Sequence, residues 1–170
     1  NLYQLDCLTG DFQPLIDTIV GDFVVEDKNL YYIAHGKLCH YNLDTQQCLE
    51  LAACQILHCP EAVDAYLNHA SCNHSVSIIA LEDDIFYVNP KRQLCLLAQS
   101  APLYTDTLCF LQQQDQFIVA VLQNKRGAYR TVVLDQNGKE ILALPMLAKV
   151  AVDRNCVIYT DGKHLYRRYH

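Results

Sequence analysis

A chain of 170 residues that is 51% hydrophobic and 19% charged can bury a sizeable core and is too apolar for extensive disorder. Its net charge of -6 excludes the basic footprint that displaces counterions from nucleic acid, and suits solubility or a basic protein partner. No run approaches eighteen apolar residues, so no membrane span is expected.

The opening "NLYQLDCLTGDF" has neither a basic n-region nor an apolar h-region, so no signal peptide is expected. Residues 1–15 read as two strands around a polar turn, and residues 14–20 as either a helical turn or extended chain. "FVVEDKNLYYIAHGKLCHYNLD" (residues 23–44) alternates as strand, turn, strand, turn, strand. "CPEAVDAYLNHASC" (59–72) departs from this pattern. Pro60 and Glu61 suit a first helical turn, and Ala62, Val63, Tyr66 and Leu67 recur at helical spacing, which predicts one short helix at residues 60–70. "VSIIALEDDIFYVNPKRQLCLLA" (76–98) returns to alternation. Residues 108–144 and 147–170 continue it, punctuated by Asn137-Gly138 and Asp161-Gly162, whose residues tolerate the positive φ of tight hairpins.

The hairpin "EDKNLYYIAHGKLCHY" (26–41) has a near-copy in "VDRNCVIYTDGKHLYRRY" (152–169), and "LYQLDCLTGDFQPL" (2–15) resembles "LCHYNLDTQQCLEL" (38–51). Units of about 40 residues built of short strands predict an all-β, mostly antiparallel fold. Its expected form is a small β-propeller or repeated β-meander with the helix inserted. The chain is expected to be a single domain, 1–170, of about four units: 17–51, 52–100, 101–144, and one shared by the two termini.

The string Asp27-Lys28-Asn29-Leu30-Tyr31-Tyr32, followed by Gly36-Lys37, resembles the bacterial DKNYY repeat family. Asp153-Arg154-Asn155 with Tyr159 and Gly162-Lys163 is a degenerate second match. Proteins of this look are often associated with toxin–immunity loci, so the resemblance implies an immunity protein. Its motif holds no catalytic residue to carry over.

Several clusters could carry chemistry. Cys54, His58, Cys59, His69, Cys72 and His74 lie within one segment. They are ligand types zinc prefers, but without a Cys-x-x-Cys knuckle, so no metal is assigned. The nine cysteines are odd in number and irregular in spacing. They read as reduced core fillers of a cytoplasmic protein rather than as a disulfide framework. Cys59, just before the helix, is the one thiol with local physics for a lowered pKa. No phosphate-binding glycine loop and no Gly-x-Ser-x-Gly occurs, and no cofactor and no catalytic residue is assigned.

The acidic turns Glu26-Asp27, Glu82-Asp83-Asp84 and Asp153 occupy equivalent places in different units, which a propeller would bring to one rim. The expected partner-binding residues are Glu26, Asp27, Glu82, Asp83, Asp84 and Tyr87, with Glu61 and Asp64 on the idiosyncratic helix. The leading expectation is a non-catalytic immunity protein occluding a cognate toxin, basic and of nuclease type, with no direct contact to nucleic acid or membrane. A small propeller hydrolase or lyase using rim carboxylates and a structural β-repeat scaffold are the alternatives.

Overall fold

The computed structural model describes residues 1–67 and 75–169. Those residues form a repeated antiparallel β-meander of five small sheets with one short helix. The first sheet is the hairpin β1 (Leu2–Leu5) and β2 (Phe12–Ile16). The second holds β3 (Asp22–Glu26), β4 (Asn29–Ala34), β5 (Lys37–Asn42) and β6 (Cys48–Ala53). After helix α1 (Glu61–Leu67) come the third sheet, β7 (Ile78–Leu81), β8 (Asp84–Val88) and β9 (Leu94–Leu96), and the fourth, β10 (Thr107–Gln114), β11 (Phe117–Gln123), β12 (Tyr129–Leu134) and β13 (Glu140–Leu144). The fifth is β14 (Lys149–Val152), β15 (Cys156–Thr160) and β16 (Leu165–Tyr169). Each pair joins neighbours in sequence, as expected of a chain whose turns are local and short.

The turn chemistry explains these hairpins. His35 and Gly36 adopt φ of 51° and 73° between β4 and β5, the left-handed pair that matches the twist of the flanking strands. Side-chain carboxylates and amides brace other turns. Asp161 Oδ1 accepts from the backbone N–H groups of Lys163 and His164, both at 2.8 Å, and Asn42 Oδ1 from those of Asp44 and Thr45.

Packing runs from each sheet to the next. Ile16 of the first sheet meets Leu30, Tyr32 and Ala34 of the second. The opposite face of the second sheet, through Ile33 and Leu38, meets Ile78, Ala80 and Ile85 of the third. Ile79, Phe86 and Val88 then turn to Leu111, Ile118, Ala120 and Val132 of the fourth. Its other face, through Val119, Val133 and Leu142, meets Val157 of the fifth. The inner strands β4, β7, β8 and β11 are thus covered on both faces and read as apolar runs, whereas β3 and β6 of the second sheet keep an exposed side.

This arrangement departs from the expected organisation in its ends. The two termini do not complete one shared unit: β1 pairs with β2 in the first sheet, and β14, β15 and β16 pair with one another in the fifth. Five sheets stand where four units were expected, because β16 fills the third-strand place and the N-terminal hairpin packs on the second sheet. Residues 12–16 are extended rather than helical.

The helix is where the spacing places it. Val63 and Asp64 donate their N–H groups to the Pro60 carbonyl at 2.9 Å, closing the first turn. Val63 and Leu67, four residues apart, pack on Cys109, Phe110 and Val121 of the fourth sheet. The rest of the predicted helix lies outside the described residues. No helix among those described is long and apolar enough to cross a membrane.

Candidate partner-binding rim

The sheets share a polarity that decides which turns meet. The β3–β4 turn (27–28), the β7–β8 turn (82–83) and the β10–β11 turn (115–116) are each two residues long. Each opens on a non-glycine residue in the left-handed region: Asp27 at φ 51°, Glu82 at 53° and Asp115 at 54°. Asp is among the L-residues that adopt that conformation most readily, which suits Asp27 and Asp115, whereas Glu82 adopts it without that advantage; the three turns occupy equivalent places.

Two of these turns converge. Burial first, then the negative charges of Asp27 and Asp83, push the Glu26 carboxyl above its ordinary value; Glu82 adds to the same field, while a hydrogen bond from its backbone N–H opposes it. Glu26 therefore sits among like charges that its own turn does not neutralise. Gln136 Nε2, from the β12–β13 turn, donates to Glu82 Oε2 at 3.0 Å and links the fourth sheet to the same rim. Farther along, Arg154 and Asp115 pair at 3.8 Å across the fourth and fifth sheets. Lys28, the cation beside Asp27, is engaged by Asp44 of the β5–β6 turn.

The expected site residues thus fall into three groups. Glu26, Asp27, Glu82 and Asp83 share the rim, with Asp27, Glu82 and Asp83 exposed and Asp84, at the start of β8, half-buried beside them. Glu61 and Asp64 are exposed on α1, at the other end of the sheets. There Tyr66 Oη donates to the Thr160 carbonyl at 3.4 Å, next to the β15–β16 turn, and Arg92 of the β8–β9 turn donates to the His58 carbonyl at 2.8 Å. Tyr87 belongs to neither end. It packs with the apolar cluster between the second and third sheets, and burial raises its phenol pKa.

Tyr31 was not among the site residues singled out by sequence, yet it lies at the rim. Its phenol is pushed up by burial and then by the charges of Glu26 and Asp83, and its ring stacks on His40 with centroids 5.0 Å apart. His40 Nε2 in turn contacts Asn29 Oδ1 at 2.8 Å. The only sequence signal was its place three residues beyond the β3–β4 turn, shared by many strand tyrosines.

The thiol and imidazole cluster is described only in part, because His69, Cys72 and His74 lie outside the described residues. Cys54 is pushed up to about 12 and Cys59 up to about 11, chiefly by burial, with Asp64 adding to the shift at Cys59. Burial therefore disfavours the thiolate at Cys59, the one thiol whose place before the helix suited a lowered pKa: the apolar packing around it outweighs one short helical turn. Every described cysteine is free, with Cys39, Cys54, Cys95, Cys109 and Cys156 buried. A depression of about 390 Å³ lined by Ile19, Gly21, Ile33, His35, Ile56 and His58 lies at the end away from the acidic rim.

No family model and no curated protein matches the chain. Among solved structures it is similar to the extracellular domain of a putative one-component system from B. thetaiotaomicron, at 18% sequence identity and a TM-score of 0.43. The match covers 93% of this chain and 22% of that one, so the chain spans about a fifth of that neighbour's length.

Proposed function

We propose that the protein is a non-catalytic binding module whose acidic rim engages a basic protein partner. In its most specific form it is a cytoplasmic immunity protein that neutralises a cognate bacterial toxin, of basic nuclease type, by occluding its active site. The observation that carries this reading is the convergence of Glu26, Asp27, Glu82 and Asp83 at two adjoining turns, where Glu26 is held above its ordinary pKa. Charge held there without a matching cation raises the free energy of the unbound protein, and a partner's lysines or arginines would relieve it. Tyr31 adds a rigid amphipathic ring beside the carboxylates, the kind of side chain that anchors interfaces. The free, mostly buried cysteines suit a reducing compartment.

The test is binding to the product of an adjacent toxin gene, followed by surface plasmon resonance. The triple variant Glu26→Gln, Glu82→Gln, Asp83→Asn is expected to slow association about tenfold or more at low salt. The pair Glu61→Gln, Asp64→Asn, on the other end of the sheets, is expected to have a smaller effect. Equal binding by the triple variant and the unaltered chain, or a rate that does not respond to salt, would sink the rim as the contact surface.

A further inference from the structure

The depression at the end away from the acidic rim is built from the interior of the chain. It opens beside the apolar cluster shared by the second and third sheets, to which Ile33, Cys54 and Ile56 belong. None of its lining comes from the first or the fifth sheet. Three backbone hydrogen bonds fix its walls. Gly21 donates to the Ile33 carbonyl at 2.9 Å, Cys54 to the Gly36 carbonyl at 3.0 Å and Gln55 to the Val88 carbonyl at 3.0 Å. A Cβ on Gly21 would stand 2.5 Å from Ile56 Cδ1, so the glycine lets the β2–β3 connector come this close to that side chain. At about 390 Å³ the depression has the size of a small-molecule site.

Its lining divides into an aliphatic wall and a polar set. Ile19, Ile33 and Ile56 make the wall, with Ile19 81% exposed beside the opening. The polar set is Gln55, His35 and His58. Gln55 Nε2 is shielded from solvent and has no hydrogen-bond partner among the described residues. A buried donor without an acceptor is costly and rare in a folded chain. The amide hangs on a soft terminal torsion, so its N–H can turn into the depression at little cost. His35 Nε2 contacts Thr18 Oγ1 at 2.7 Å, whereas the His58 ring has no partner among the described residues. Arg92 Nη2 donates to the His58 carbonyl at 2.8 Å and brings a guanidinium to the same side. The carboxylate next to the lining, Asp22, is occupied by the backbone N–H groups of Phe23 and Ser77, at 2.9 and 2.6 Å. Unpaired donors and a cation beside an aliphatic wall select a ligand that is apolar at one end and an anionic acceptor at the other.

We propose that this depression is a binding site for a small carboxylate with a branched aliphatic body. The aliphatic part packs on Ile19, Ile33 and Ile56. The carboxylate accepts from Gln55 Nε2 and from the His58 ring, with His35 at its flank. The site shares no residue with the acidic rim, so it stands or falls apart from that reading.

Titration of the 170-residue chain with 4-methylpentanoate, followed by NMR, tests the site, with 4-methylpentanamide as the neutral twin. The carboxylate is expected to bind saturably at about millimolar or tighter. The imidazole signals of His35 and His58 should shift while those of His40 and His164 stay in place. The amide should bind about fivefold more weakly or worse. Gln55→Leu removes the unpaired donor and keeps a side chain of similar size. It is expected to weaken carboxylate binding about fivefold, with the melting temperature unchanged or raised. A structural role for the amide would lower the melting temperature instead, and would count against the proposal. His58→Gln, at an exposed position, gives a reading that does not touch the packing, and should weaken binding about threefold. No saturable binding of 4-methylpentanoate overturns the proposal. So does equal binding of acid and amide, full affinity retained by either variant, or shifts gathered at the other histidines.

Discussion

Thr131, fully buried in β12, donates its hydroxyl to the Met146 carbonyl at 3.0 Å and accepts from the Ala148 N–H at 3.0 Å. It thereby satisfies two backbone groups in the loop between β13 and β14. Thr131→Val keeps the shape and removes both partners, leaving a buried donor and acceptor unpaired. The expected loss is about 2 kcal/mol, read as a lower denaturation midpoint with an unchanged slope. Glu26 makes the opposite case. Its pKa is raised in the folded state, so between its ordinary value and its raised one the folded chain binds the proton more tightly than the unfolded chain. Stability therefore falls as pH rises through that window, and at neutral pH the full cost is present. Glu26→Gln is expected to stabilise the protein by about 0.5 kcal/mol at neutral pH, a modest value for a partly solvated group. The gain should disappear as pH falls below the ordinary carboxylate range. Melting temperatures of both proteins across pH check this; a variant less stable at pH 7 would contradict it.

At the scale of elements, α1 depends on two side chains. Val63 is fully buried, and Leu67 nearly so, against Cys109, Phe110 and Val121. A helix of seven residues has little stability of its own. Val63→Ala is expected to cost about 2 kcal/mol through lost burial and a residual cavity, whereas Glu61→Gln on the exposed side should change stability by less than about 0.5 kcal/mol. Chemical denaturation of both separates packing from charge. The same element shows what the sequence could convey. Ala62, Val63, Tyr66 and Leu67 carry a period that strands lack, and the turns at Gly36, Gly138 and Gly162 advertise their positive φ through glycine. The acidic rim was legible because Glu26-Asp27 and Glu82-Asp83 stand at matching points of repeated strands. Tyr87 was not legible as a packed residue. In β8, Ile85 and Tyr87 face the second sheet while Phe86 and Val88 face the fourth, so no solvent side exists for the alternation to mark. The pairing of the chain ends was hidden for a related reason. Strand partners within a hairpin are set by the turn between them, but partners at opposite ends of the chain have no local signal.

For the whole molecule, a row of sheets each packed on the next has a stability that depends on position, as in other arrays where units contact only their neighbours. The fourth sheet is the best buried. Ile118, Ala120, Val121 and Leu122 of β11 and Val132, Val133 and Leu134 of β12 are inaccessible to solvent, and this sheet meets the third sheet, the fifth sheet and α1. The first sheet holds on through Leu2, Leu15 and Ile16, and every residue of β16 is exposed. Local opening should follow this gradient, since amides exchange through the least costly opening available to them. Hydrogen exchange read by mass spectrometry is expected to show β11 and β12 exchanging only with global unfolding. The β1–β2 hairpin should exchange fastest and β16 next. Because β16 is held by β15 alone while β11 is held on both edges, a destabilising change such as Thr131→Val should speed exchange in β11 and β12 by the full loss of stability and leave the hairpin nearly unaffected. Hairpin amides as slow as those of β11 would show instead that the stack unfolds as one cooperative unit.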